Sequence, residues 1–452
     1  MNSDLNAAGK INVAAASFHN LALAYRAEGK NREAEENYRQ AIDLQPDYAE
    51  AHYNLAVLLQ EVERSSESKV HYEGAIAAKP AYLQALNNLG TIFDEEGDHT
   101  AAERLYRRAL DINPDVPEVL SSLGSCLHAL GRYEEAACSY TKAIAIRPIF
   151  PAAQWNLGFL ELSLGRYLAG WSNYRYRHSA DRVKFPTPNE ELPLDLDGSL
   201  ILIGNEQGLG DELFFLRFCA QLKQRGAEIH YQSGQAIETL CQRIDGIDAL
   251  IQGPVDDGYT IADLPFLLRC SEAVGSVSIH PLEDRLNAMR SRLFAAGPAP
   301  YIGITYRAGI AEPGSLFKEA PIDGIASALK NIEATIIVVQ RDPQDRDIEF
   351  LEDNLDLQLT SFAKINDDLE DMLALLALLD DYVGVSNTNM HLRAAVAKPA
   401  RVLVTHPGEY RWMAEGHQSP WFPDFKLYRQ GVDGDWQRAF DDLARDLKAV
   451  YG

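Results

Sequence analysis

Prolines fall on a 34-residue ruler at Pro46, Pro80, Pro114 and Pro148. The residues ahead of them keep the same register. Leu21, Leu55, Leu89, Leu123 and Leu157 form one column, and Tyr38, Tyr72, Tyr106, Tyr140 and Tyr174 form another. Small residues fill two more: Ala41, Ala75, Ala109 and Ala143, and Ala22, Ala56, Gly90, Gly124 and Gly158. A period of this length restricts residues 1–180 to a solenoid of helix–turn–helix units. Each unit buries its apolar stripe only against its neighbours. The small residue lets paired helices approach, the aromatic fills the layer between units, and proline closes each second helix because it has no N–H to continue the ladder.

These columns resemble the tetratricopeptide repeat (TPR) family, with four full repeats and a partial fifth between residues 15 and 178. A further column, Asn20, Asn54, Asn88 and Asn156, is broken only by Ser122. It lies on the first helix of each unit, beside the apolar leucine. An amide both donates and accepts, so a ladder of them can grip the backbone of an extended peptide. The competing account is that these side chains bridge neighbouring helices. Asparagine is a poor mid-helix residue, so its recurrence needs one reason or the other. The column resembles the asparagine ladder of the O-GlcNAc transferase superhelix, which implies a protein acceptor in the groove.

A net charge of −24 argues against nucleic acid, whose phosphates need a basic surface, and against an anionic membrane. Cys126, Cys138, Cys219, Cys241 and Cys270 form no CxxC pair and no metal spacing, so they are expected to be reduced thiols in a cytosolic protein. The amino terminus has no charged-then-apolar signal pattern, and the leucine-rich stretch Met372–Leu379 is too short to span a bilayer. The expectation is a cytoplasmic protein without membrane insertion.

After Tyr174 the pattern changes. A polar, proline-bearing link, Arg175–Pro193, precedes short β-branched runs separated by helical patterns. The runs SLILIG (199–204) and AEIHYQ (227–232) flank a helix expected over Asp211–Arg225. A second series holds YIGITY (301–306), ATIIVVQ (334–340), DYVGVS (381–386) and ARVLVT (400–405). Continuous apolar strands alternating with helices imply parallel sheets covered on both faces. Two such series joined near Phe294–Pro300 predict two Rossmann-like lobes with a cleft at the carboxyl ends of the strands. A last helix over Asp435–Val450 is expected to cross back to the first lobe.

NEQGLGDELFFLRF (205–218), KEAP (318–321), SNTNMHLRAAVAKP (386–399) and SPWFPDFKLYRQ (419–430) are similar to the TPR-linked bacterial glycosyltransferases. Their catalytic half is a two-lobed GT-B fold like that of the heptosyltransferases. The resemblance implies an all-α TPR solenoid (1–180) followed by an α/β GT-B fold with lobes at 195–296 and 297–452. A TPR arm on such lobes resembles the flagellin glycosyltransferases, which implies a protein acceptor, a nucleotide-sugar donor and no metal.

Motif by motif, the resemblance implies roles. Asp211 matches the proposed catalytic base of heptosyltransferases, which must lie near the acceptor hydroxyl; the plain alternative is an N-cap. Gly208 and Gly210 give close backbone approach and unusual conformations, and Glu206 and Gln207 shape the same turn. Lys318 matches a phosphate-binding lysine, with Ala320 in place of the family tryptophan, and Arg307 is a second cation. The turn through Ser386, Asn387 and Thr388 precedes a helix expected to begin near Asn389, a natural seat for a leaving diphosphate. His391 matches a histidine that either bonds phosphate or packs under the turn. Ser386 replaces the family aspartate; a donor that carries its own carboxylate, such as a CMP-linked nonulosonic acid, would be tolerated by serine.

Trp412, Trp421, Phe422, Tyr428 and Arg429 read mainly as a hydrophobic edge around Pro420 and Pro423, the Ser419–Pro420 turn excepted. The pairs Asp256–Asp257, Asp367–Asp368 and Asp380–Asp381 look like helix starts and loop surface rather than a metal cluster. The leading function is an inverting, metal-independent protein O-glycosyltransferase. The alternatives are a transferase acting on a lipid or polysaccharide glycan, and a TPR adaptor with degenerate lobes.

Overall fold

The computed structural model describes residues 12–177, 191–206, 208–253, 255, 258–308 and 318–452. Gln207 and the Asp256–Asp257 pair lie outside the described residues. The chain divides into two compact units between Ala153 and Gln154.

Among the described residues, the elements of the first unit are all helices: α1 (Val13–Ala27), α2 (Asn31–Leu44), α3 (Ala49–Glu61), α4 (Ser65–Ala78), α5 (Leu83–Glu95), α6 (His99–Ile112), α7 (Pro117–Ala129) and α8 (Tyr133–Ile146). Each second helix ends two residues before its proline, with Gln45, Lys79, Asn113 and Arg147 as caps. The tyrosine and alanine columns are fully buried, as are Leu55, Leu89 and Leu123, whereas Leu21 in the first repeat is 44% exposed. The small-residue column has a direct cause. A Cβ on Gly90 would lie 2.7 Å from Cε1 of Tyr106, and one on Gly124 would lie 2.7 Å from Cε1 of Tyr140. The turn inside each repeat carries a further column. Gly29, Gly97, Gly131 and Gly165 have φ between 71° and 84°, and Glu63 takes the same left-handed conformation at φ 60°.

The second unit opens with α9 (Pro151–Ser163, which crosses the division) and α10 (Tyr167–Tyr174). A four-stranded parallel sheet follows: β1 (Leu200–Gly204), β2 (Glu228–Gln232), β3 (Ala249–Leu250) and β4 (Tyr259–Thr260), in the order β3-β2-β1-β4. Its helices are α11 (Leu209–Phe215), α12 (Cys219–Gln224), α13 (Glu238–Cys241) and α14 (Leu264–Leu267), with α15 (Glu283–Ala296) leading to the second lobe.

That lobe has a six-stranded parallel sheet in the order β12-β11-β10-β5-β8-β9. Its strands are β5 (Tyr301–Thr305), β8 (Thr335–Val338), β9 (Thr360–Ser361), β10 (Asp381–Val385), β11 (Ala400–Val404) and β12 (Phe425–Arg429). A small antiparallel pair, β6 (Arg307–Ala308) and β7 (Lys318–Glu319), stands beside it. The helices are α16 (Ile322–Leu329), α17 (Asp345–Leu355), α18 (Leu369–Leu378), α19 (Thr388–Ala395) and α20 (Gln437–Tyr451).

Four sequence expectations need correction. The partial fifth repeat does not end a unit near residue 180, because it is packed with the sheets. Trp171 on α10 is buried with its ring 6.0 Å from Phe215 and Phe218 of the first lobe and 5.9 Å from Trp421 of the second. Arg177 then pairs with Glu206 and Asp263, all nearly enclosed. The helix expected over Asp211–Arg225 begins at Leu209 and is broken by a tighter turn at Leu216–Phe218, where Nε of Arg217 donates to the Phe214 carbonyl at 2.8 Å. The last helix stays on the second lobe: α20 packs on α16, with Phe440 filling the space beside Gly324. Finally, Asp381 is a buried strand residue whose carboxylate accepts from Arg401 at 2.6 Å, not loop surface.

Candidate functional site

The carboxyl ends of β5, β8 and β10 open on a cleft of about 790 Å³. Leu209 from the first lobe completes its lining, so the cleft lies between the lobes. Of the residues singled out from the sequence, Arg307, Asn387, Thr388 and Asn389 line it, joined by Arg341, Arg346 and Gln340. Parallel strands ending beneath helix starts make this edge of a sheet a general ligand position.

The start of α19 is built by side-chain bonds. Asn387 is the N-cap: its Oδ1 accepts from the Met390 amide, and its Nδ2 donates to Oγ1 of Thr305 at 3.0 Å. Asn387 therefore fixes the turn, while Thr388 and Asn389 face the cleft at the positive end of the helix. Arg307 donates from Nη2 to the Asp342 carbonyl at 3.2 Å and stands 3.7 Å from Asp347. The position of this guanidinium is thus held from behind.

His391 lies on the far side of that turn, 5% exposed, with its ring 5.4 Å from Phe422 and 6.1 Å from Phe214. Burial, and then the cations Arg217 and Lys318, push its imidazole down to about 3, so it is neutral. It packs under the turn. Across the lobe boundary, a Cβ on Gly210 would sit 3.3 Å from Cδ2 of His391. Gly210 is there for this close approach and not for an unusual φ. Gly208, at φ −84°, is the N-cap of α11, and a Cβ there would meet nothing closer than 3.9 Å.

Asp211 is the third residue of α11, so it is not the N-cap. Its Oδ1 is ion-paired with Nη2 of Arg411, which is buried against the Phe214 and Tyr410 rings. Nη1 of Arg411 is 3.6 Å from Glu409. Glu409 is a hub. Its carboxylate accepts from Nζ of Lys318 at 2.8 Å, from Nε1 of Trp412 at 3.2 Å, and from the hydroxyl of Ser386. Nζ of Lys318 also lies 3.4 Å from the Ser386 carbonyl. The four charged groups Asp211, Arg411, Glu409 and Lys318 alternate in sign and sum to zero.

This network corrects two sequence inferences. Lys318, matched from the sequence to a phosphate-binding lysine, is paired with Glu409 and is not among the residues that line the cleft. Serine at 386 does not remove negative charge from this spot either: the carboxylate arrives from Glu409, so the argument for a donor bearing its own acid loses its premise. Glu409 and Arg411 were missed because they belong to a single three-residue turn, Tyr410–Trp412 with Glu409 as its cap, too short for any periodicity to mark them. The aromatic cluster is core, as read: Trp412, Trp421 and Phe422 are at most 2% exposed. The Ser419 turn is structural too, its hydroxyl bonding the Arg411 carbonyl and the Trp421 amide.

In the first unit, Asn20 is exposed, Asn54 donates to Nε2 of His19 at 2.9 Å, and Asn88 donates to the Tyr72 hydroxyl at 3.1 Å. Asn54 and Asn88 each reach back to the preceding repeat. Tyr106, one repeat further on, interacts with Ser122 at the position where the column is broken. The column thus meets the polar ends of the buried layer. Asn156, in the second unit, is half-buried on α9.

A family model described as TPR repeat matches residues 22–62 and 124–165, and one described as Tetratricopeptide repeat matches 95–137. The chain carries TPR repeats. It is 24% identical over 312 residues to the protein FlbA of Caulobacter vibrioides, a match that covers 62% of this chain and 52% of that protein. The chain therefore spans about half the length of that relative. Among solved structures, pilF of Pseudomonas aeruginosa is similar at 21% identity and a TM-score of 0.34, covering 38% of this chain and 78% of the other. MamA of Desulfovibrio magneticus is similar at 13% identity and a TM-score of 0.34, covering 37% and 93%. No helix among the described residues is long and apolar enough to cross a membrane.

Proposed function

We propose that the chain is a GT-B glycosyltransferase that moves a sugar from a nucleotide-sugar donor to a hydroxyl of a protein, with inversion. TPR repeats point to a protein-interaction role, and in this reading they recruit the acceptor, with flagellin as the acceptor that the domain pairing suggests. The observation that carries the reading is the interlobe cleft, where Arg307 and the start of α19 stand opposite Leu209 and the α11 turn that bears Asp211.

The residues divide the work as follows. The donor phosphates lie on the free N–H groups of Thr388 and Asn389 with Arg307 beside them, so charge developing on the leaving oxygen meets fixed dipoles and a held cation. Asp211, oriented by its ion pair with Arg411, accepts the proton of the acceptor hydroxyl. The freed oxygen bonds to the anomeric carbon from the face opposite the phosphate, and the sugar–phosphate bond breaks.

Calorimetry with UDP, ADP, GDP and CMP on the full chain tests the site. One of them is expected to bind, and Arg307→Gln is expected to weaken it about tenfold, the loss of a hydrogen bond to a charged group. A folded chain that binds none of the four would sink the proposal. An adaptor reading has one observation in its favour, the neutralisation of both Asp211 and Lys318 by neighbours. It predicts nucleotide binding without turnover of any nucleotide sugar.

A further inference from the structure

The repeats supply an internal control, because each register shows what a position ordinarily holds. Three departures meet between the third and fourth repeats. Asp94 on α5 stands where other repeats of this unit have Arg26, Gln60 and His128. His99, the first residue of α6, stands where they have Asn31, Ser65 and Tyr133. Cys126 on α7 replaces the buried aliphatic position of Leu58 and Ile92 and is itself fully buried. One ligand atom from each of the three lies within 4.8 Å of the others.

We propose that Asp94, His99 and Cys126 form a binding site for a divalent transition-metal ion of the zinc type, clamping the third repeat to the fourth. The donor set is a sulfur, an imidazole nitrogen and a carboxylate oxygen, the three ligand types that zinc accepts. Bond lengths of about 2.0–2.3 Å put ligand atoms of a tetrahedron roughly 3.3–3.7 Å apart, inside the spread that the cluster already has.

At present Nδ1 of His99 is 2.6 Å from Oδ1 of Asp94, and the Cys126 thiol donates to the His99 carbonyl at 3.0 Å. The imidazole and carboxylate side chains are 30% and 21% exposed, so they form the mouth of the site over a thiol floor. Metal entry needs these two to part by about 0.7 Å or more. The ion forms a bond to sulfur, the thiol proton leaves to solvent, and water takes the fourth position.

The competing account is a surface ion pair beside a small core residue. In that account sulfur never touches an ion. Cobalt titration of the full chain separates the two, because thiolate ligation gives a near-ultraviolet charge-transfer absorption. The band is expected at stoichiometric cobalt, lost in Cys126→Ser, and kept in Cys138→Ser, where the cysteine is exposed. His99→Ala is expected to weaken cobalt about tenfold or more, and it decides the matter if the Cys126 variant does not fold. Zinc should raise the melting temperature, and chelation should reverse the rise. A chain showing no charge-transfer band, or a band unaffected by both substitutions, overturns the proposal. The site is independent of the transfer reaction, so neither outcome bears on the cleft.

Discussion

Replacing Glu409 by glutamine perturbs the candidate site with the least change of shape. Glutamine keeps an oxygen for the Ser386 hydroxyl and the Trp412 indole and removes only the charge. At 2.8 Å, with an effective dielectric of about 20, the gross attraction between Lys318 and Glu409 is roughly 6 kcal/mol. Most of that is repaid in desolvation, and hydrogen bonds to charged groups contribute about 1.5–3 kcal/mol net. Stability should therefore fall by about that amount. Lys318 lies beside the Ser386 carbonyl, one residue from cleft-lining Asn387, so an unneutralised ammonium there draws an anionic ligand. Nucleotide affinity is expected to rise about tenfold, or roughly 1.4 kcal/mol. Lys318→Ala leaves the Glu409 carboxylate with only the longer pair to Arg411 and should weaken binding by a similar factor. The double variant measures the coupling between the two. Calorimetry with the best-binding nucleotide reads all three, and scanning calorimetry reads their stability. A folded Glu409→Gln chain with unchanged or weaker affinity would refute the idea that Glu409 holds Lys318 back from the ligand.

Asp211→Asn should abolish glycosyl transfer and also cost about 1.5–3 kcal/mol, because it leaves buried Arg411 with only the Glu409 carboxylate, 3.6 Å away; near-normal turnover removes Asp211 from the chemistry. Glu63→Gly should stabilise the chain by about 0.5–1 kcal/mol, since a left-handed residue costs about 1–2 kcal/mol and glycine returns part of that as entropy; a lower melting temperature would contradict this. His71, held down to about 4 by burial and the facing His52, stays neutral in the folded chain. The unfolded chain binds the extra proton below pH 6.5, so stability present above that pH is lost as pH falls toward 4, and His71→Gln should flatten the slope in denaturant titrations. Asn54→Ala combined with Asn88→Ala should abolish pull-down of a protein acceptor by the full chain while leaving nucleotide affinity unchanged; retained capture makes the column a bridge between repeats.

The solenoid was legible because its period repeats one physical problem. Every unit must seat a tyrosine against a small residue and stop a helix with proline, and each solution leaves the same mark 34 residues on. The left-handed turn column was equally regular but harder to see, since Glu63 interrupts its glycines. The long strands of the second unit were visible as β-branched runs. The short ones, such as β6 and β7, were not, because two residues carry no period. Site residues divided the same way. Thr388 and Asn389 follow from a strand running into a helix start. The pairing of Lys318 with Glu409 joins positions 91 residues apart, and no local pattern records it.

The same distance in sequence explains why roles assigned one residue at a time needed revision. Asp211 belongs to the first lobe and Lys318 to the second, yet Arg411 and Glu409 connect them as alternating charges. A ligand phosphate that draws Lys318 leaves Glu409 with more of its charge for Arg411, and an arginine held more tightly by Glu409 holds Asp211 less tightly. Groups coupled in this way respond to substitution non-additively. In the proposed reaction the cleft and the carboxylate would therefore act as one electrostatic unit, a ligand at the start of α19 changing how tightly Arg411 holds Asp211, although Asp211 does not line the cleft.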